Sequence, residues 1–431
     1  IFYLLLLIFC TNVICKDFVT NNWRSYYVLP KSHEELKSLG SIHGDYELDF
    51  LTKPYIDRPG VVLVKPAYQE GFTNKLDELA IEYTVHSYDV KNALEYDDVV
   101  FEQRRSESKA RNGGKLAYDA YQEWPVIEQY LIDIAEKYPE TVTLVTAGES
   151  FEGRKLLYLK ISTTNFEDTT KPIMFIDGGI HAREWISPPT VTWAIHKLVE
   201  DVTEPDLLEN YDWILFPVVN PDGYQYTFTH ERFWRKTRST DQHNNSINCP
   251  GVDGNRNYDF FWNTVGSSSN PCTDTYAGNR PFSEVETRAV RDIIFKYVDR
   301  MPYYVTMHSY GSMILYPWGH DGTISNDGFI HHSSAIAQGA AINAAANPDF
   351  PQYAVGNSVL IVGYPASGAS EDWAHLNGVP LSFTYELPGL SRGMQGFNLD
   401  PMWIEQVCKE TWEGLKAGAR SSRQLYWNKR L

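Results

Sequence analysis

The chain has 431 residues, of which 43% are hydrophobic and 14% aromatic, and its formal net charge is -17. That length favours two domains, the apolar content excludes a disordered or collagenous chain, and the charge excludes a nucleic-acid partner, whose phosphates Lys and Arg must neutralise. The balance suits a soluble protein acting on neutral or cationic molecules.

Residues 1–15 form an apolar run too short to span a bilayer, followed by Lys16 and Asp17. They read as a secretory signal peptide cut near Cys15. The run lacks an initiating Met and a basic leader, so the sequence is expected to start inside its open reading frame. No other apolar stretch is long enough to span, so a secreted, extracellular protein without a membrane anchor is expected.

Residues 16–111 are expected to form a separate unit. Strands are predicted over 23–29 and 60–64 and helices over 32–39 and 73–82. Ser32 is placed to cap the first helix, with Glu34 and Glu35 in its first turn. This mixture in so short a stretch suggests a small α+β module. Residues 101–114 are polar, basic at intervals and end in Gly113-Gly114. The segment has little to bury and reads as an exposed connection. In a secreted protein it invites a trypsin-like protease, with the bond between Arg111 and Asn112 favoured.

Residues 112–431 alternate between the two periodicities. Helices are predicted over 124–138, 188–199, 284–297, 333–346 and 401–417, and strands over 142–149, 155–161, 172–178, 213–219, 303–307 and 381–387. The pattern implies one α/β domain with a central sheet covered on both faces. Of five cysteines, Cys10 and Cys15 leave with the signal, Cys249 and Cys272 are a candidate disulfide, and Cys408 sits in a helical pattern as a buried thiol. Asn244-Asn245-Ser246 is a glycosylation sequon.

His181 directly follows an apolar strand, and Gly178 and Gly179 let the backbone turn there. Glu184 lies three residues on, about one helical turn away. His308 ends a second apolar strand. Strand ends are where α/β proteins place ligand sites. Two imidazoles and a carboxylate would leave the fourth position of a tetrahedral zinc ion for water, as catalytic rather than structural sites do.

Around these residues the chain resembles the pancreatic-type zinc metallocarboxypeptidases. The likeness is carried by Gly178-Gly-Ile-His181-Ala-Arg183-Glu184-Trp185, Phe233-Trp-Arg235-Lys-Thr-Arg238, Gly251-Val-Asp253-Gly-Asn255-Arg256-Asn257, His308-Ser-Tyr310, Gly363-Tyr364-Pro-Ala-Ser-Gly and Phe383-Thr384-Tyr385-Glu386-Leu387. Residues 17–111 resemble the family's activation segment. A two-His, one-Glu catalytic zinc is the known arrangement of carboxypeptidase A, so the site type follows from the resemblance.

The resemblance implies a mixed central sheet with helices on both faces, preceded by the small activation domain. It implies one zinc ion per chain on His181, Glu184 and His308, with Glu386 as general base and Arg238 stabilising the oxyanion. Asn255, Arg256 and Tyr364 would hold the substrate's free carboxylate, Arg183 would serve subsites further back, and Tyr310 would also bind substrate. Glu371 would sit at the base of the specificity pocket and Gly319 at its mouth. A buried carboxylate there implies a preference for C-terminal Lys or Arg. Gly319 matches apolar-specific members instead, which keeps an apolar-specific enzyme as an alternative beside an inactive peptide-binding homologue. Further implications are peptide C-termini as substrates, a trypsin-like activating protease, proteinaceous carboxypeptidase inhibitors as partners, a monomer, and a digestive lumen.

Overall fold

A computed structural model of the chain describes residues 22–42, 45–46, 48–52, 54–240, 249–390 and 396–427. The signal peptide and the Asn244 sequon lie outside the described residues. Among those that are described, no helix is long and apolar enough to cross a membrane.

The N-terminal unit runs β1 (Arg24–Leu29), α1 (His33–Ser41), β2 (Asp49–Thr52), β3 (Gly60–Val64), α2 (Gln69–Glu78), β4 (Glu82–Ser87) and α3 (Val90–Asn112). Its four strands make an antiparallel sheet in the order β2-β3-β1-β4. Ser32 caps α1 as expected, accepting from the backbone N of Glu35. Tyr26, Val28, Val62, Val64, Phe72 and Leu76 form the core between sheet and helices.

Residues 101–112 are largely exposed, as expected of a connection, but they are helical: they form the second half of α3, which ends on Gly113 in the left-handed region. The apolar seam of α3 is narrow, with Val90, Leu94 and Phe101 buried. It is completed by the rest of the chain: Phe101 packs against Tyr121 and Trp185, with ring centroids 5.9 and 6.3 Å away. The helix is therefore stabilised by docking rather than by its own composition.

The second unit contains α4 (Trp124–Lys137), β5 (Val142–Glu149), β6 (Lys155–Ile161), β7 (Ile173–Gly178), α5 (Ser187–Val199), α6 (Asp206–Glu209), β8 (Asp212–Phe216) and α7 (Pro221–Thr229). It continues with α8 (Val285–Tyr297), β9 (Tyr303–Ser309), β10 (Met313–Tyr316), α9 (Gly328–Ala345), β11 (Ala354–Asn357), α10 (Ser358–Val362), α11 (Ser370–Leu376), β12 (Leu381–Leu387) and α12 (Ile404–Ser422). The eight strands form one mixed sheet, β11-β10-β12-β9-β7-β8-β6-β5. Its centre, β12-β9-β7-β8, is parallel.

The period-2 alternation of β7 divides the core. Met174 and Ile176 join the cluster under α4, α5 and α12. Ile173 and Phe175 join the opposite cluster, under α8 and α11. Helices on both faces explain why β7, β8 and β9 are buried at every position. Cys249 and Cys272 form a disulfide and Cys408 is a buried free thiol.

Candidate metal centre and substrate cleft

The parallel pairing of β7 with β9 sets Gly178 beside Met307, so the chain leaves both strands at the same edge of the sheet. Gly179, at φ +68°, turns the backbone there. His181 and Glu184 follow in a tight turn closed by Glu184 N donating to His181 O at 3.3 Å, before α5 begins. His308 sits in the next-to-last position of β9.

These three side chains converge. His181 Nδ1 is 2.8 Å from Glu184 Oε1, and His308 Nδ1 is 3.0 Å from Glu184 Oε2 and from His181 Nδ1. All are buried, and their donor atoms lie within 4.8 Å of one another. Burial pushes the Glu184 carboxyl up, but the two imidazoles outweigh it and hold it well below the usual range. An ionised carboxylate and two ring nitrogens aimed at one point are what a divalent metal requires.

Asp253 supports the first ligand. It is fully buried, and its Oδ1 accepts from His181 Nε2 and Asn255 N, each at 2.9 Å. Its Oδ2 accepts from Arg235 Nε at 3.0 Å. Such outer carboxylates fix a metal-binding imidazole's tautomer and orientation. Sequence reasoning passed over Asp253, although it lies inside a segment that carried the resemblance.

A cleft of about 290 Å³ opens over the triad, lined by Arg183, Arg235, Asn255, Arg256, Tyr310, Tyr364 and Glu386 among others. Glu386 on β12 is in register with His308 on β9. Burial raises its carboxyl to about 7, against the lowering charge of His308. Asn255 and Arg256 share a single 3-10 turn. Arg256 is braced by Gly266 O at 2.9 Å and Asn255 O at 2.7 Å.

Arg238 is the misplaced expectation. Its guanidinium stacks 3.7 Å over the Tyr226 ring and 4.5 Å over Trp234, with Glu152 3.6 Å from its Nε. Arg235, three residues earlier, is the arginine in the cleft, with Nη1 3.7 Å from Glu184 Oε1.

Glu371 opens α11 and is 5% exposed. Its Oε2 is buried without a hydrogen-bond partner. Burial raises its carboxyl, opposed in part by a backbone hydrogen bond, the His308 charge, the Thr384 hydroxyl and the Arg256 charge. Gly319 donates its N–H to both oxygens of the neighbouring Asp372 at 2.9 Å. A Cβ at Gly319 would meet Asp372 and Ser358 at 3.4 Å, an ordinary contact.

The cleft is covered by the N-terminal unit. Leu48, Asp49, Phe50, Leu51, Thr52 and Arg58 line it from above. Asp49 engages Arg183, and the Thr52 and Tyr310 hydroxyls are hydrogen-bonded. Tyr55 lies where a Cβ at Gly363, next to Tyr364, would fall.

Residues 127–414 match the zinc carboxypeptidase family and residues 26–97 the carboxypeptidase activation peptide. The chain belongs to the zinc carboxypeptidases. It is 58% identical to a carboxypeptidase B of Helicoverpa zea over 98% of this chain and 99% of that protein. It is 38% identical to carboxypeptidase B of Rattus norvegicus over 81% and 80% of the two chains. Among solved structures, carboxypeptidase A of Helicoverpa armigera superposes with a TM-score of 0.90 at 39% identity, covering 95% of this chain and 99% of that one. The covering unit of this carboxypeptidase is thus its activation peptide, and its cofactor is zinc, which the His181, Glu184 and His308 donors fit.

Proposed function

We propose that this carboxypeptidase is a secreted zymogen that, once its activation peptide is cut away near Arg111, removes C-terminal Lys or Arg from peptides. The observation that carries the specificity is Glu371, a buried carboxylate with an unpartnered oxygen. An ammonium or guanidinium satisfies such a group, whereas an apolar side chain leaves it buried and unpaired. Secretion is supported by the apolar run over 1–15 and by the disulfide.

Bound zinc supplies a Lewis acid that polarises the scissile carbonyl and acidifies the attacking water. The chain's own residues do the rest. Asn255, Arg256 and Tyr364 hold the terminal carboxylate, the group that restricts the reaction to chain ends. Glu386 takes a proton from the water and returns one to the leaving amine. Arg235 faces the oxygen that gains charge, in place of Arg238. Asp253 holds both His181 and Arg235, which ties the metal ligand to the oxyanion group.

A second reading, preference for apolar termini, is favoured by Gly319 and by the H. armigera carboxypeptidase A that this chain superposes on. Proteinaceous inhibitors remain proposed partners; bovine thrombin-activatable fibrinolysis inhibitor, 33% identical over 72% of this chain with a TM-score of 0.64, is solved in complex with a tick carboxypeptidase inhibitor. The test is kcat/KM of the activated enzyme on peptides ending in Lys, Arg, Leu, Phe and Glu. Basic termini should be cleaved fastest, and Glu371→Leu should invert the order. Faster cleavage of Phe than of Lys would refute the basic preference, and no turnover at all would favour a binding role.

A further inference from the structure

We propose that Asp177, acting through the Thr306 hydroxyl, is a positioning residue for the zinc ligand His308. The two histidine ligands need equivalent support, yet only one has an evident source. His181 Nε2 meets the Asp253 carboxylate directly at 2.9 Å. His308 Nε2 meets no carboxylate; its partner is Thr306 Oγ1 at 3.2 Å.

The protons define a direction. His308 turns Nδ1 toward Glu184 and His181, so Nδ1 is the metal-facing atom. A neutral imidazole that binds a metal through one nitrogen carries its proton on the other. Nε2 therefore donates and Thr306 Oγ1 accepts. A hydroxyl that accepts still has its own proton to donate.

Asp177 is placed to receive it. Thr306 on β9 and Asp177 on β7 are register partners across adjacent parallel strands. Asp177 is 2% exposed. Its Oδ2 accepts from Tyr304 Oη at 2.7 Å, while Oδ1 is buried and lacks a partner in hydrogen-bonding geometry. Among the described residues no Lys or Arg forms an ion pair with it. Burial raises that carboxyl to about 6, opposed by the hydroxyls of Thr306 and Tyr304 and by His308. A buried carboxylate without a cation is costly unless hydrogen-bonded. The sequence His308, Thr306, Asp177 resolves both oddities: the imidazole gains an anionic anchor one hydroxyl removed, and the carboxylate gains a donor. Such outer partners orient metal-binding imidazoles and raise their basicity.

The experiment measures zinc dissociation constants by chelator competition on the uncleaved chain, with Thr306→Val, Thr306→Ser, Asp177→Asn and the double variant Asp177→Asn/Thr306→Val. Thr306→Val and Asp177→Asn are each expected to weaken zinc binding on the order of tenfold. Thr306→Ser, which keeps the hydroxyl, should stay within about twofold of wild type. Because the two residues act in series, the double variant should bind zinc no more weakly than the worse single one. An unchanged zinc affinity in Thr306→Val, even with a lowered thermal midpoint of the metal-free chain, would mean a structural role alone and overturn the proposal. So would a double variant whose loss is the product of the two singles. If Asp177→Asn does not fold, the contrast between Val and Ser at position 306 decides the question.

Discussion

Both carboxylate oxygens of Asp49 accept from one nitrogen of Arg183, Nη1, at 3.1 and 3.0 Å. The first residue belongs to the activation peptide; the second stands between the ligands His181 and Glu184. Arg183 is 3% exposed and also meets Asp274 at 3.1 Å. The activation peptide thus holds an arginine that lines the cleft and is proposed to serve the substrate. Asp49→Ala should raise the intrinsic activity of the uncleaved chain. A lost hydrogen bond to a charged group is worth about 1.5–3 kcal/mol, and Asp274 keeps Arg183 partly satisfied. The lower end is therefore expected, about tenfold, measured as turnover of a small peptide before any cleavage.

The same contact should respond to pH. Burial raises Asp49 to about 8, reinforced by Asp274 and opposed by Arg183. The released peptide's aspartate returns toward its ordinary value of about 3.9. The docked state therefore binds a proton that the released state lacks between these limits. This contribution to docking is fully present below about pH 4 and is lost as pH rises to about 8. With the chain cleaved but the peptide still bound, dissociation should become easier between pH 5 and 8. Asp274→Asn removes the neighbouring charge and should flatten that dependence. An unchanged slope in the variant would refute the assignment to this pair.

Arg235 and Arg238 are separable by mutation. Arg235 lies in the cleft and Arg238 stacks on Tyr226. Removing a group that stabilises developing charge costs about a hundred- to a thousandfold in kcat. Arg235→Ala should show that loss with a much smaller change in KM, whereas Arg238→Ala should remain near wild type in both. Zinc content must be measured alongside, since Arg235 also holds Asp253.

What sequence could and could not show follows the same physics. Strands β5 and β6 match their expected limits because apolar residues, alternation and turn signals coincide there. The ligands His181 and His308 were visible because each ends an apolar run. The strands β2 and β4 were missed: β2 is four residues long, and no position of β4 is fully buried, so neither has an apolar signature. The second half of α3 reads as an exposed connection because the surface that buries Phe101 lies on Tyr121 and Trp185, outside the window in which periodicity is judged. Arg238 is expected in the cleft and Arg235 is found there, because a three-residue spacing does not say which side chain a turn points inward. Asp177 and Thr306 give no signal at all, being ordinary strand residues until β7 and β9 are paired.

The helical state of residues 101–112 also constrains activation. A protease needs an extended segment, so each candidate bond demands local unwinding, and helix ends open most readily. Arg104 pairs with Asp400 at 3.2 Å, and Arg105 lies 5.1 Å over the Phe228 ring, so cutting there must also undock α3. Arg111 lies in the last turn, beside the left-handed Gly113, and is mostly exposed while paired with Asp119. Limited trypsin treatment followed by mass analysis should find the first cut after Arg111. Arg111→Gln should delay activation several-fold, while Arg104→Gln and Arg105→Gln should leave its rate unchanged or faster by loosening the helix. First cleavage at Arg104 or Arg105 would show instead that α3 undocks as a whole before the protease acts.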